Sequence, residues 1–99
     1  MDKEAVALSQ LQQSIFVKQQ LNKEIKKIVS VADEIVKAFK RGNKVLLFGN
    51  GGSAADAQHI AAEFAGKYLC ERAPLPAIAL TTNTSSLTAI ANDYGYEHI

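Results

Sequence analysis

At 99 residues, 47% hydrophobic and 21% charged, the chain has room for one layered domain at most and the composition of an ordered globular protein, which argues against disorder for most of its length. Eleven basic residues against ten acidic ones leave a net charge of +1, so no field of one sign draws nucleic acid or an anionic membrane surface, and neither is expected as a partner. A single cysteine, Cys70, excludes an internal disulfide; with no secretory leader pattern and no apolar run of membrane-spanning length, the expected location is the cytoplasm.

Apolar positions recur at Leu8, Leu11, Ile15, Leu21, Ile25, Ile28, Ala32, Ile35 and Phe39, mostly three or four apart with Gln and Lys between them, which predicts amphipathic helix. Ser30-x-x-Asp33 has the form of a capping box, so two helices are expected to meet near Val29 and Ser30, with one kinked helix as the alternative. Arg41-Gly42-Asn43 ends the helical pattern. Heptads are not sustained, which favours a packing element over a coiled-coil zipper; residues 1–42 are read as a helical packing or oligomerisation segment.

Residues 44–48 form a short aliphatic run bounded by turn residues, expected as a parallel strand buried on both faces. Helical spacing returns over 53–68, with Ile60, Phe64 and small alanines on the packed side. Residues 76–80 read as a second strand and 85–91 as the start of another helix, so the order strand, helix, strand, helix predicts an α/β fold with a three-layer αβα parallel sheet. Two strands make an inadequate sheet of that kind, and residues 43–99 are therefore expected to be the front half of a longer domain.

The turn Asn50-Gly51-Gly52-Ser53 ends a strand and opens a helix, where backbone N–H groups and the helix dipole attract anions and sugar hydroxyls. Gly51 and Gly52 supply unusual torsions and close approach, while Ser53 is expected to cap the helix with Asp56 answering it. The turn has neither a Walker lysine nor the G-x-G-x-x-G order, so a phosphorylated sugar suits it better than a nucleotide. His59 and Glu63, four apart, share one helical face, either as two ligands of a divalent metal or as a hydrogen-bonded pair. The polar run from Thr81 to Ser86 and the pair Asn92-Asp93 are candidates for the same crevice; Ser85 and Ser86 also suit a helix N-cap, and Tyr94 and Tyr96 suit packing.

Three stretches carry a resemblance: Phe48-Gly49-Asn50-Gly51-Gly52-Ser53-Ala54-Ala55-Asp56-Ala57-Gln58-His59-Ile60-Ala61-Ala62-Glu63, then Leu75-Pro76-Ala77-Ile78-Ala79-Leu80, then Thr88-Ala89-Ile90-Ala91-Asn92-Asp93-Tyr94-Gly95-Tyr96. On these residues the chain resembles the sugar isomerase (SIS) domain family, in particular its members that act on heptose 7-phosphates. The resemblance implies an aldose–ketose isomerase that converts sedoheptulose 7-phosphate to D-glycero-D-manno-heptose 7-phosphate through an enediolate, toward ADP- or GDP-activated heptose for lipopolysaccharide core or capsule. It also implies a homotetramer with active sites at subunit contacts.

Position by position, the resemblance implies substrate contacts at Asn50, Gly51, Gly52, Ser53, Glu63, Asn92 and Asp93, and zinc ligation by His59 and Glu63. Glu63 would also be the general base. A serine-rich phosphate loop, the glutamine and histidine that complete one zinc site, and the acid are expected beyond Ile99, and the 99-residue chain alone is expected to have little activity. Lys67 stands where such enzymes often carry arginine, which keeps the charge and loses a bidentate grip. The rival reading is a relative of the same fold that binds a protein partner such as a replication initiator, and a third is a sugar-phosphate sensing module. Gly52 and Glu63 favour the enzymatic lineage over the partner-binding one.

Overall fold

The computed structural model describes residues 1–99, which divide into two compact units, Met1–Val36 and Lys37–Ile99. In the first unit, helix α1 (Lys3–Gln20) starts at Asp2, whose carboxylate accepts from the N–H groups of Glu4 (3.0 Å) and Ala5 (3.3 Å) and so satisfies two donors that a helix start leaves free. A four-residue 3-10 turn, Leu21–Glu24, then leads into α2 (Ile25–Lys40).

The interruption therefore lies at 21–24 and not at the predicted Val29 and Ser30, which are inside α2. A capping box needs an N-cap residue outside helical torsions, whereas Ser30 and Asp33 both lie within the continuous helix α2; at 21–24 the chain tightens with Gln20 and Leu21 still in the right-handed region and Asn22, a weak helix former, at its centre. No residue of α1 is buried: Leu8, Leu11 and Ile15 of the predicted stripe are 55%, 58% and 47% exposed.

In the second unit, α2 ends in a Schellman motif. Gly42 adopts φ +78°, its N–H donates to the Phe39 carbonyl (3.0 Å), and the Asn43 N–H donates to that of Ala38 (2.9 Å). The expected stop at Arg41-Gly42-Asn43 thus has a backbone mechanism.

Strands β1 (Val45–Leu47) and β2 (Ala77–Ala79) pair in parallel with Val45 opposite Ala77, Leu46 opposite Ile78 and Leu47 opposite Ala79. The crossover between them contains helix α3 (Gly52–Ala65), which seats Ala57 and Ala61 against Ala79, with Leu47 and Ala77 packed around them. Methyl-sized side chains at this contact let helix and sheet approach closely, and Ala57, Ala61 and Ala79 are the buried core.

Side chains alternate along a strand, so Leu46 and Ile78 face away from that core, 50% and 48% exposed. The expectation of strands buried on both faces holds for one face within this chain. Helix α4 (Thr84–Tyr94) follows β2, is stopped by Gly95 at φ +103°, and is succeeded by a 3-10 turn over Tyr96–His98. The architecture is α/β, with a two-stranded parallel sheet and helix on one face. No helix is long and apolar enough to cross a membrane.

Candidate functional site

Gly49 leads from β1 into the turn at the start of α3. A Cβ there would stand 2.6 Å from Ser53 Cβ and 2.9 Å from the Ser53 carbonyl carbon, so only glycine lets the strand end lie against the first turn of the helix. Gly51 then takes φ +56° as the N-cap residue, and the turn closes through Ser53 N–H to the Asn50 carbonyl (3.0 Å) and Ala54 N–H to that of Gly51 (3.1 Å).

The predicted capping box does not form here. Ser53 is already the second residue of α3, and no side chain caps the helix start, because the tight turn puts its break at a glycine. Open space surrounds Gly51 and Gly52, where a Cβ would meet nothing within 4 Å, so a ligand has room against this stretch of backbone.

Two cavities flank the second unit's sheet and helices. One, about 660 Å³, lies among Phe48, Asn50, Thr81, Asn83, Ser86 and Tyr96. The Tyr96 hydroxyl donates to Asn50 Oδ1 across it, which ties the 3-10 turn to the glycine-rich turn. Tyr96 is thus a polar partner of the turn, beyond the packing role expected for it.

The cap of α4 is Asn83, whose Oδ1 accepts from the Ser86 N–H (3.0 Å), and not Ser85 or Ser86 as expected. Asn92 and Asp93 are absent from this cavity's lining. Helix α4 continues through both, leaving them exposed on its last turn with Asn92 Nδ2 donating to Asp93 Oδ1 (3.5 Å).

The second cavity, about 500 Å³, is lined by His59, Glu63, Phe64, Tyr68, Arg72 and Leu75. Helical spacing puts His59 and Glu63 on one side of α3, with Nε2 of His59 3.3 Å from Oε1 of Glu63 and their side chains 75% and 35% exposed. The glycine-rich turn and the His59–Glu63 pair thus sit on separate cavities within this chain. Ring packing of Phe64 against Phe39, 5.5 Å between centroids and near edge-on, anchors the end of α3 beside the pair.

An imidazole nitrogen and a carboxylate oxygen are both zinc donors, and two ligands of a tetrahedral zinc with bonds near 2.0–2.1 Å lie about 3.3–3.4 Å apart. The observed 3.3 Å suits that arrangement as well as it suits a direct hydrogen bond. His59 and Glu63 fit a metal as two of its ligands; a group of three His, Cys, Asp or Glu side chains does not assemble in this chain.

Arg72 escaped the sequence reading. Helix α3 ends at Ala65, short of the expected 68, because Gly66 leaves helical torsions, and the chain loops back through Leu69 at φ +65°. The Arg72 guanidinium returns to the helix end, where Nη2 donates to the Glu63 carbonyl (2.8 Å) and Nη1 to those of Phe64 (2.9 Å), Gly66 (3.0 Å) and Ala73 (3.3 Å). Nothing in the local sequence around Arg72 announces this contact, since it reaches back nine positions from the irregular chain after Ala65 into the end of α3. Lys67 faces a different partner, its Nζ lying 2.7 Å from Glu71 Oε1 in an exposed pair.

Comparison with known proteins adds what one chain leaves open. The SIS domain family is matched over residues 11–99. A phosphoheptose isomerase of Aquifex aeolicus is 72% identical over 72 residues, covering 73% of this chain and 38% of the relative. One of Roseiflexus sp. is 56% identical over 93 residues, covering 93% of this chain and 47% of the relative. Among solved structures, the phosphoheptose isomerase of Neisseria gonorrhoeae superposes with a TM-score of 0.86 at 42% identity, over 98% of this chain and 50% of that one. The chain thus spans about half the length, or less, of these relatives.

Proposed function

The chain belongs to the SIS domain family, and from that premise we propose that it supplies the N-terminal part of an aldose–ketose isomerase acting on a seven-carbon sugar phosphate. The observation that carries this reading is the half-buried Glu63 carboxylate, held against His59 on the cavity face of α3, in a chain whose relatives are named phosphoheptose isomerase. The substrate is sedoheptulose 7-phosphate and the product D-glycero-D-manno-heptose 7-phosphate, consumed toward activated heptose for lipopolysaccharide or capsule.

Glu63 takes a proton from C1 of the ketose while the C1–C2 bond becomes double and the C2 oxygen gains the negative charge. The same carboxylic acid returns that proton to C2, the C1 oxygen becomes the aldehyde carbonyl, and the proton it carried passes to the C2 oxygen. Asn50, the backbone N–H groups of Gly51 and Gly52, and the Ser53 hydroxyl hold sugar hydroxyls, for which the open space beside both glycines leaves room. Asn92 and Asp93, exposed on the last turn of α4 and outside the lining of both cavities, are the further substrate contact of this reading. His59 and Glu63 would hold zinc together with ligands beyond Ile99, and the bound ion would supply Lewis-acid polarisation of the substrate oxygens.

The working enzyme is a homotetramer in the cytoplasm. The apolar stripe of α1, uncovered at Leu8, Leu11 and Ile15, supports burial against another copy, and the free, exposed Cys70 suits a reducing compartment. The test is to incubate the full-length protein with sedoheptulose 7-phosphate and follow aldose formation by NMR. Conversion to the heptose phosphate is expected; binding of the ketose without conversion would overturn the enzymatic reading in favour of a sensing module.

A further inference from the structure

Glu63 stands two residues before the end of α3, in the turn that frays most readily because its carbonyls have no partner within the helix. Here those carbonyls are claimed in order. The Ala62 oxygen accepts from the Gly66 N–H (2.9 Å), that of Glu63 from Arg72 Nη2 (2.8 Å), and that of Phe64 from both Arg72 Nη1 (2.9 Å) and the Leu75 N–H (2.9 Å). Arg72 is half-buried, lines the cavity shared by His59 and Glu63, and brings its charge to the negative end of the helix dipole. The planar guanidinium spans adjacent carbonyls at once, a grip that a lysine ammonium does not reproduce.

Resting on the reading of Glu63 as the base, we infer that Arg72 is a positioning residue for the isomerisation: it locks the last turn of α3 and thereby aims the Glu63 carboxylate at the substrate carbon. Neither nitrogen of its fork is needed for substrate in this role. Release of the turn lets the carboxylate wander, and a displacement of about 1 Å at a reacting group costs roughly a hundredfold in rate. The effect falls on kcat, since the sugar hydroxyls and phosphate are held elsewhere.

The experiment compares Arg72→Gln and Arg72→Lys with wild type in the full-length protein, measuring kcat and KM for sedoheptulose 7-phosphate and amide hydrogen exchange of residues 62–66. Expected are a fall in kcat of about ten- to a hundredfold for R72Q at nearly constant KM, a smaller fall for R72K, and faster exchange confined to the end of α3. Should R72Q not fold, R72K carries the test alone. A kcat equal to wild type with slowed or unchanged exchange would overturn the inference, as would a loss that appears only in KM, which would make Arg72 a substrate contact. Glu63→Gln separates the two readings: if that variant turns over normally, the base assignment itself falls, whereas an inactive E63Q beside a fully active R72Q removes only the role of Arg72.

Discussion

Replacing Gly49 with alanine tests the joint on which the glycine-rich turn hangs. The added Cβ would lie 2.6 Å from Ser53 Cβ, about 0.8 Å short of an ordinary 3.4 Å contact, and would also press on backbone atoms of Ser53 at 2.9 and 3.0 Å. Backbone does not rotate away as a flexible side chain does, so β1 and the first turn of α3 must separate by most of that distance. Overpacking of this kind costs about 1–3 kcal/mol. In a full-length protein of the size of the relatives, of which this chain covers 38–47%, that lowers the Tm by several degrees, at roughly 2–4 °C per kcal/mol for about 150–250 residues.

The control is Gly52→Ala, where the Cβ meets nothing within 4 Å and the residue opens α3, so stability should hold or rise by about 0.4–1 kcal/mol through the unfolded chain. Thermal unfolding of the full-length wild type, G49A and G52A gives the comparison. If G49A melts with G52A, the close approach of strand and helix is not a constraint and the account of the turn fails.

Asn83→Ala removes the side chain that caps α4 and should cost about 1 kcal/mol in thermal unfolding, whereas Ser85→Ala should cost far less. Tyr96→Phe deletes the hydroxyl bonded to Asn50 Oδ1 with little change of shape; KM for the sugar phosphate should rise severalfold in steady-state assays, and an unchanged KM would remove Tyr96 from the orientation of Asn50. A Leu11→Asp, Ile15→Asp double variant puts two charges into the α1 stripe and, if that stripe forms the subunit contact proposed above, should lower the mass of the full-length protein in sedimentation experiments; an unchanged mass would remove α1 from any subunit contact.

Periodicity made the helices and strands legible because local apolar spacing reports local geometry. The spacing from Leu8 to Phe39, the aliphatic run before Phe48 and the stop at Gly42 all have counterparts in the fold. Helix ends were less legible. Serine was expected to cap twice, at Ser53 and at Ser85 or Ser86, yet Gly51 and Asn83 hold those positions: a cap is chosen by where the backbone leaves helical torsions, and the approach enforced at Gly49 moves that point.

Asn92 and Asp93 were expected in the crevice, yet α4, read from its start at 85–91, runs on to Tyr94 and is stopped by Gly95, which leaves both outside the cavity beside Asn50. The pairing of His59 with Glu63 followed from their spacing alone. What spacing does not carry is tertiary: Tyr96 reaches Asn50 across 46 residues that include α3, β2 and α4, and Arg72 reaches Glu63 across the irregular chain that follows α3.

The central claim, that Glu63 moves the proton between C1 and C2, is tested most directly by incubating Glu63→Gln, in the full-length protein, with sedoheptulose 7-phosphate in D2O and following both aldose formation and deuterium entry at C1 by NMR. The amide keeps the shape of the carboxylate and a partner for His59 while losing the basic oxygen. Loss of the base should lower both rates by about 10²–10⁴ while the sugar phosphate still binds. Deuterium entry at the wild-type rate would show that another group takes the proton.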